Sequence, residues 1–355
     1  MLKVPMSLAE AGMTLAMPLH HPQTPGRLLL KTGYVLDGSD IERLRELQVR
    51  EIWARYPSLD FLCEHVSPAV IALQQELAAG IEHAFEGVAN HDEAELDYEQ
   101  FRETIGVIIE LFTTHPKAAY YISEVCVGGK THIAHAANVC SLSLLMGLRL
   151  QSYVAQQRSR LHPRYAKNVV NLGVGAMLHD IGMLQLDAET LDRWARTQDE
   201  NDAAWREHVK RGYSMVRSKV GPSAASIVLN HHQRFDGTGF PERVEPDGNT
   251  SALDGEHIPI FARIVAVADV FDRLRNPPDG SAPRAAVEAM HAMQHAPWTT
   301  RFDPMCIKAL ITVAPPYPPG AVVTLSDGRE GVVTGWSPSE PCRPTVRILS
   351  KLTED

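Results

Sequence analysis

Apolar residues through the middle of this chain recur at every third or fourth position, a spacing that predicts one helix after another. VIALQQELAAGIEHAFEGV and LDYEQFRETIGVIIELFTT, between about 67 and 113, read as connecting helices. Across 130–312 the spacing predicts HIAHAANVCSLSLLMGLRLQ as one long helix. A polar stretch, SYVAQQRSRLHPRY, separates it from a second, KNVVNLGVGAMLHDIGML, which ends at Asp180 and Gly182. AAWREHVKRGYSMVRS, SAASIVLNHHQ and IPIFARIVAVADVFDRL follow. Pro277, Pro278 and Gly280 then break the chain before AAVEAMHAMQ and DPMCIKALITV.

The two ends have another pattern. GRLLLKTGYVLDGSD predicts two short strands around Gly33, and IERLRELQV a short helix capped by Ser39 or Asp40. In the tail, VVTL, EGVVTGW and TVRIL are strand-like, with Asp327-Gly328 as a hairpin turn. The expected architecture is mainly α: a helical-bundle core, a small N-terminal α/β module and a small C-terminal β appendage. The expected boundaries are 1–60 for the N-terminal module, 61–128 for the connecting helices, 129–314 for the core domain and 315–355 for the appendage.

Composition narrows the function. The 355 residues, 44% of them hydrophobic, suffice for about two or three domains. A formal charge of −9 speaks against a DNA or RNA polymer as partner. No run of eighteen apolar residues is present, so no membrane insertion is expected. MLKVPMSLAEAGMTLAMPLHHP is interrupted by prolines and an acid where a secretory segment is continuously apolar. The five cysteines are scattered without a CxxC pair, which fits a reducing, cytoplasmic location. No GxGxxG, Walker loop or serine nucleophile elbow occurs.

Histidine is the oddity: sixteen in all, with His132, His135, His162, His179, His208, His231 and His232 in one central stretch. Most of the candidates sit on strongly apolar helices, where an unpartnered polar side chain is costly. Imidazole and carboxylate together are the natural ligand set for first-row divalent metals. His135, His179, Asp180, His208, His231, His232 and Asp269 suffice for two ions if one carboxylate bridges them. Helices of a bundle can aim such ligands inward. The chemistry this favours is phosphoester hydrolysis.

The ordered set resembles the HD-GYP domain, a branch of the HD metal-dependent phosphohydrolases. The family's His-Asp-x-Gly-Lys stretch is HDIGM at 179–183, and its His-His-x-x-x-Asp-Gly-x-Gly-Tyr-Pro is HHQRFDGTGFP at 231–241. THIAHAANVCSL resembles the leading helix, EHVKRGYSMV the next ligand segment, IPIFARIVAVADVFDRL the segment of the late ligand, and RFDP the start of the closing helix. The resemblance covers roughly 130–312, and the β tail resembles an extension found on such proteins.

The resemblance implies a phosphodiesterase that hydrolyses cyclic di-GMP to pGpG and GMP through a metal-bridging hydroxide, with Asp180 and His179 at its catalytic heart. One metal would take His135, His179, Asp180 and Asp269. The other would share Asp180 and take His208, His231 and His232. The implied ions are iron or manganese, and nickel or zinc fit the same ligands. The sequence also admits a catalytically weak, metal-holding receptor for cyclic di-GMP, and a hydrolase of another cyclic dinucleotide such as cyclic GMP-AMP. Homodimerisation or protein partners are roles open to the N-terminal module.

Four departures from the family pattern stand out. The Glu of three-metal members is Thr131, with His132 on the same helical face as His135 as an extra ligand or a supporting group. The Lys after HDxG is Met183, and the Tyr of the GYP triplet is Phe240. The Arg-Pro-Tyr after the late Asp is missing from DRLRNPPDGSAPR. Arg234, Gly239, Phe240, Arg273 and Arg275 are the candidate substrate contacts, and Asp236 the candidate for orienting a ligand imidazole. Gly237 and Gly239 also read as turn formers, His20-His21 as a surface loop, and His291 with His295 as a solvated helix face.

Overall fold

The computed structural model describes residues 1–348 apart from 22–23, 25–26, 50, 66–67, 91–97, 116–130, 280 and 282. The expected boundary at 128/129 lies outside the described residues. In the N-terminal module, β1 (Leu2–Pro5) pairs antiparallel with β4 (Glu51–Ala54), and β2 (Leu19–His20) with β3 (Leu28–Leu30). His20 is thus a half-buried strand residue, where a surface loop was expected. Helix α1 (Gly38–Glu46) begins one turn earlier than its apolar spacing suggests. Its cap is Asp37, whose carboxylate accepts from Asp40 N at 2.8 Å, so Ser39 and Asp40 lie inside the helix.

The core is built from α2 (Pro68–Asn90), α3 (Tyr98–Thr114), α4 (Thr131–Arg149), α5 (Gln151–Gln157), α6 (Pro163–Ala166), α7 (Val170–Leu178), α8 (Ala188–Thr197), α9 (Ala203–Val216), α10 (Pro222–Asn230), α11 (Ile260–Arg275), α12 (Ala286–Met293) and α13 (Pro304–Val313). Three of these depart from the sequence pattern. The polar stretch after α4 folds as α5 and α6, which bury only Val154 and Ala166 and so carry almost no periodic signal. Helix α8 buries only Thr190 and Trp194, and Asp187 caps it.

Helices α4, α7, α10 and α11 form the packed centre, and α11 is buried from Ile260 to Asp272 without interruption. One buried network sets the position of α11. Arg263 pairs with Asp303 at 2.6 Å, and Asp303 also accepts from Tyr153 and caps α13. A short hairpin, β5 (Arg243–Val244) with β6 (Thr250–Ser251), follows the 231–241 loop.

The tail forms an antiparallel sheet of β7 (Val322–Thr324), β8 (Glu330–Gly335) and β9 (Thr345–Ile348). It packs on the N-terminal module, because Val332 shares a buried cluster with Met1, Trp53, Leu59 and Leu62. Lys3 N also donates to Gly320 O at 3.2 Å, and the Arg347 guanidinium lies over the Phe61 ring. No single helix among the described residues is long and apolar enough to cross a membrane.

Candidate metal centre

Local chain geometry explains how distant residues meet. Helix α7 ends on His179, and Asp180 opens a tight turn over Ile181–Gln185. A Cβ on Gly182 would lie 1.9 Å from His208 O and 2.6 Å from Gly212 N. Only glycine therefore lets this turn rest on the α9 backbone, and that contact puts His208 beside Asp180. Helix α10 stops at His231, which is its C-cap, and the rings of His231 and His232 lie side by side with centroids 4.1 Å apart.

The structure brings the candidate residues into two groups. Asp180, His208, His231 and His232 form one and His135, His179 and Asp269 the other, with donor atoms in each group within 4.8 Å of one another. Asp180 faces both. Its Oδ1 lies 3.5 Å from His208 Nε2 and 3.4 Å from His231 Nε2. Its Oδ2 lies 3.4 Å from His179 Nε2 and 3.8 Å from His135 Nε2.

The outer nitrogens are held from behind. His179 Nδ1 meets Ala176 O at 2.8 Å, His208 Nδ1 meets Trp205 O at 2.7 Å, and His231 Nδ1 meets Val228 O at 3.0 Å. A carbonyl only accepts, so each Nδ1 carries the proton, and a neutral ring presents its Nε2 lone pair to the centre. His135 Nδ1 instead meets Asp272 Oδ2 at 2.7 Å. Asn138 and Asn276 both donate to the other Asp272 oxygen at 2.9 Å.

Electrostatics fit a cation. Burial, helped by the neighbouring imidazoles of His231 and His179, pushes His208 down to about 4 despite the Asp180 charge. Burial and the charges of His231 and His208 hold His232 well below the ordinary histidine range. Burial would also lower His135, but Asp269 and Asp272 outweigh it and raise the ring to about 10. For Asp180 and Asp269 burial acts upward, yet the facing imidazoles, and Arg273 beside Asp269, hold both carboxylates well below their usual range. Nε2 of His135, His179 and His232 is buried without a hydrogen-bond partner, although Asp269 Oδ1 lies 3.1 Å from the first. Buried orphan nitrogens beside ionised carboxylates are what a divalent metal satisfies.

Other expected roles need correction. His132 is exposed, stacks on Phe85 with ring centroids 5.9 Å apart, and belongs to neither group. Asp236 does not orient an imidazole. Its Oδ1 accepts from Thr238 N and Oγ1, as a short loop carboxylate does in an Asx turn, and its Oδ2 accepts from Thr300 Oγ1 at 2.7 Å. Arg275 is buried and donates to Arg284 O, so it ties down the chain after α11 and is not open to substrate.

Gly239 and Phe240 shape the loop. A Cβ on Gly239 would lie 2.3 Å from Arg234 N. The Phe240 ring is buried and stacks on His232 at 4.9 Å, backed by Trp205. Arg273 donates to both Asp269 oxygens, at 2.9 and 2.7 Å, and to Glu200 at 3.1 Å, while Arg234 pairs with Glu200. Met183 packs against the cluster of Leu186, Trp194, Trp205 and Phe240. His291 and His295 are exposed neighbours on α12 and the turn that follows it, as their spacing suggests.

Asp272, Asn138 and Glu200 have no place in the sequence-based site. The first two were within reach of it: Asn138 follows His135 by three residues, Asp272 follows Asp269 by three, and such spacing shares a helical face. Glu200 lies between α8 and α9, and only the fold brings it to Arg234 and Arg273.

Residues 136–306 match the HD domain family. A cyclic di-GMP phosphodiesterase of Pseudomonas aeruginosa is 26% identical over 346 residues, covering 89% of this chain and 78% of that protein. A cyclic di-GMP phosphodiesterase response regulator of Xanthomonas campestris is 36% identical over 143 residues, 39% of this chain and 35% of that protein. A 3'3'-cGAMP-specific phosphodiesterase of Vibrio cholerae is 35% identical over 100 residues, 27% of this chain and 17% of that protein. Among solved structures, an HDGYP protein from Bdellovibrio bacteriovorus matches with a TM-score of 0.50 at 19% identity, over 87% of this chain and 97% of that one. This last likeness is one of fold.

Proposed function

From the premise that residues 136–306 form a domain of the HD family, we propose that this chain is a metal-dependent phosphodiesterase hydrolysing cyclic di-GMP to pGpG and GMP. The observation that carries the reading is Asp180, whose two carboxylate oxygens face two separate sets of buried imidazoles. The choice of cyclic di-GMP over cyclic GMP-AMP rests on the relative that matches across most of the chain, which is named for the former.

In this reading His135, His179, Asp180 and Asp269 hold one metal ion, and Asp180 with His208, His231 and His232 holds a second. Iron and manganese are the proposed ions. When bound, such ions activate water and polarise phosphoryl oxygens. The protein's own part is orientation and charge. Asp272 fixes the tautomer and plane of His135, backbone carbonyls do the same for His179, His208 and His231, and Arg273 keeps Asp269 ionised. Phe240 and Trp205 wall His232 off from water on one side.

A second reading is favoured by one feature: Met183, at the family's lysine position, offers no charge to the phosphate. In that reading the chain binds metal and cyclic di-GMP and turns it over poorly. Metal content per chain and turnover with excess manganese or ferrous iron, measured on one sample, separate the two. About two metals with product formation that Asp180→Ala abolishes supports the enzyme. Two metals with tight dinucleotide binding and no product supports the receptor, whereas a metal-free chain sinks both.

A further inference from the structure

Beside the metal centre, three guanidinium groups converge on one carboxylate. Glu200 Oε2 receives Arg234 Nη2 and lies 3.7 Å from Arg301 Nη1, while Oε1 receives Arg273 Nη2 at 3.1 Å. Arg273 is the link to the centre, since it also grips Asp269 with two hydrogen bonds. Its charge is therefore divided between two carboxylates. Asp236 is nearby, but its oxygens are engaged by Thr238 and Thr300.

We propose that Arg234, Arg273 and Arg301 form a phosphate-binding subsite, and that the Glu200 carboxylate occupies it as an internal substitute for a phosphodiester. The inference rests on the phosphodiesterase reading for its ligand class and goes beyond it in naming the subsite and its occupant. A phosphodiester carries one negative charge on two exposed oxygens, as a carboxylate does. Guanidinium groups recognise both through the same planar fork. A cyclic dinucleotide has two such groups, and the subsite receives the one that is not being cut.

The segments that carry the subsite are tied to one another, and the backbone of its occupant is held separately. Phe235 N donates to Arg301 O at 2.8 Å and Thr300 bonds Asp236, so the loop carrying Arg234 and the turn carrying Arg301 are tied together. Arg206 Nε holds the backbone oxygen of Glu200 at 2.6 Å, and Arg206 Nη2 holds Asn201 Oδ1 at 3.0 Å. Vacating the subsite thus needs a rotation of the Glu200 side chain and no movement of its segment. An internal anion keeps three partly buried cations compensated until substrate arrives, and it weakens every competing anion by the inverse of the fraction of time the site is free.

The test is calorimetric titration of the full chain, stripped of metal, with inorganic phosphate and separately with cyclic di-GMP. Glu200→Gln is expected to bind both about tenfold more tightly, the factor for a competitor that holds the site nine-tenths of the time. Adding Arg301→Gln is expected to remove the gain. Unchanged or weaker binding in Glu200→Gln would overturn the proposal and leave Glu200 as a residue that merely positions arginines. If Glu200→Gln does not fold, Arg301→Gln alone decides: weaker phosphate binding supports the subsite and unchanged binding refutes it. Because neither metal nor turnover enters, a chain that fails to hydrolyse cyclic di-GMP can still pass this test, and an active hydrolase can fail it.

Discussion

The two sides of the candidate site are built on different terms. On the metal-facing side, His135, His179, His208 and His231 each have the outer nitrogen fixed by a carbonyl or by Asp272. These side chains come from α4, the end of α7, α9 and the end of α10, so helix packing and the Gly182 turn set their positions. On the side proposed to face substrate, the side chains are engaged within the protein. Met183 and Phe240 join an aromatic cluster, Arg275 ties down its own chain, and Arg234, Arg273 and Arg301 attend Glu200. A cluster whose residues sit on or at the ends of packed helices tolerates little change, whereas a rim drawn largely from loops and turns can be rewired with less disturbance to the core beneath it.

The sharpest way to break this contrast is at the point where packing makes the site. Gly182→Ala forces a methyl group into the His208 carbonyl. Overpacking of this kind costs about 1–3 kcal/mol, and here it also pulls His208 away from Asp180. We expect a lower Tm and metal content that falls toward zero; a fully metallated Gly182→Ala protein would remove the claim that this contact assembles the centre. Next in size is Asp272→Ala, which frees the His135 ring. Loss of such an orienting carboxylate typically lowers metal affinity or activity about 10–100-fold. Competition with a chelator should show the drop, and unchanged affinity would mean that the ring is held without Asp272.

On the side proposed to face substrate the effects should be smaller and leave metal content untouched. Met183→Lys restores a charge able to contact a phosphate oxygen, and turnover of cyclic di-GMP should rise about tenfold, below the roughly 100-fold or more attached to a well-aligned donor. No rise would mean that the half-buried position does not face substrate. Phe240→Tyr should change turnover by less than about twofold, because the stacking on His232 persists and only a hydroxyl is added. A large effect would place the missing hydroxyl in substrate binding.

Much of the candidate site was legible before any coordinates because its chemistry is local. Adjacent His231 and His232 at a helix end, His179-Asp180 before a glycine, and Asp269 inside an apolar helix are each anomalous where they stand. The helical core was legible for a similar reason, since α4, α7 and α11 repeat their apolar positions without interruption. Helices α5, α6 and α8 were not, because each buries only one or two side chains. The position expected of Asp236, against a ring of the cluster, is taken by Asp272, 137 residues from the His135 that it meets.

The sequence by itself determined the helical architecture, and the residue types and order of the candidate ligands, because periodicity and the cost of burying imidazole act within single segments. Only the tertiary structure decided which oxygen of Asp180 faces which imidazoles, that Val332 seats the tail on the N-terminal module, and that Glu200 meets three arginines. Apart from His179 with Asp180, those pairings join residues far apart in the chain. They depend on how whole helices and loops settle against one another, and no spacing along the chain encodes that.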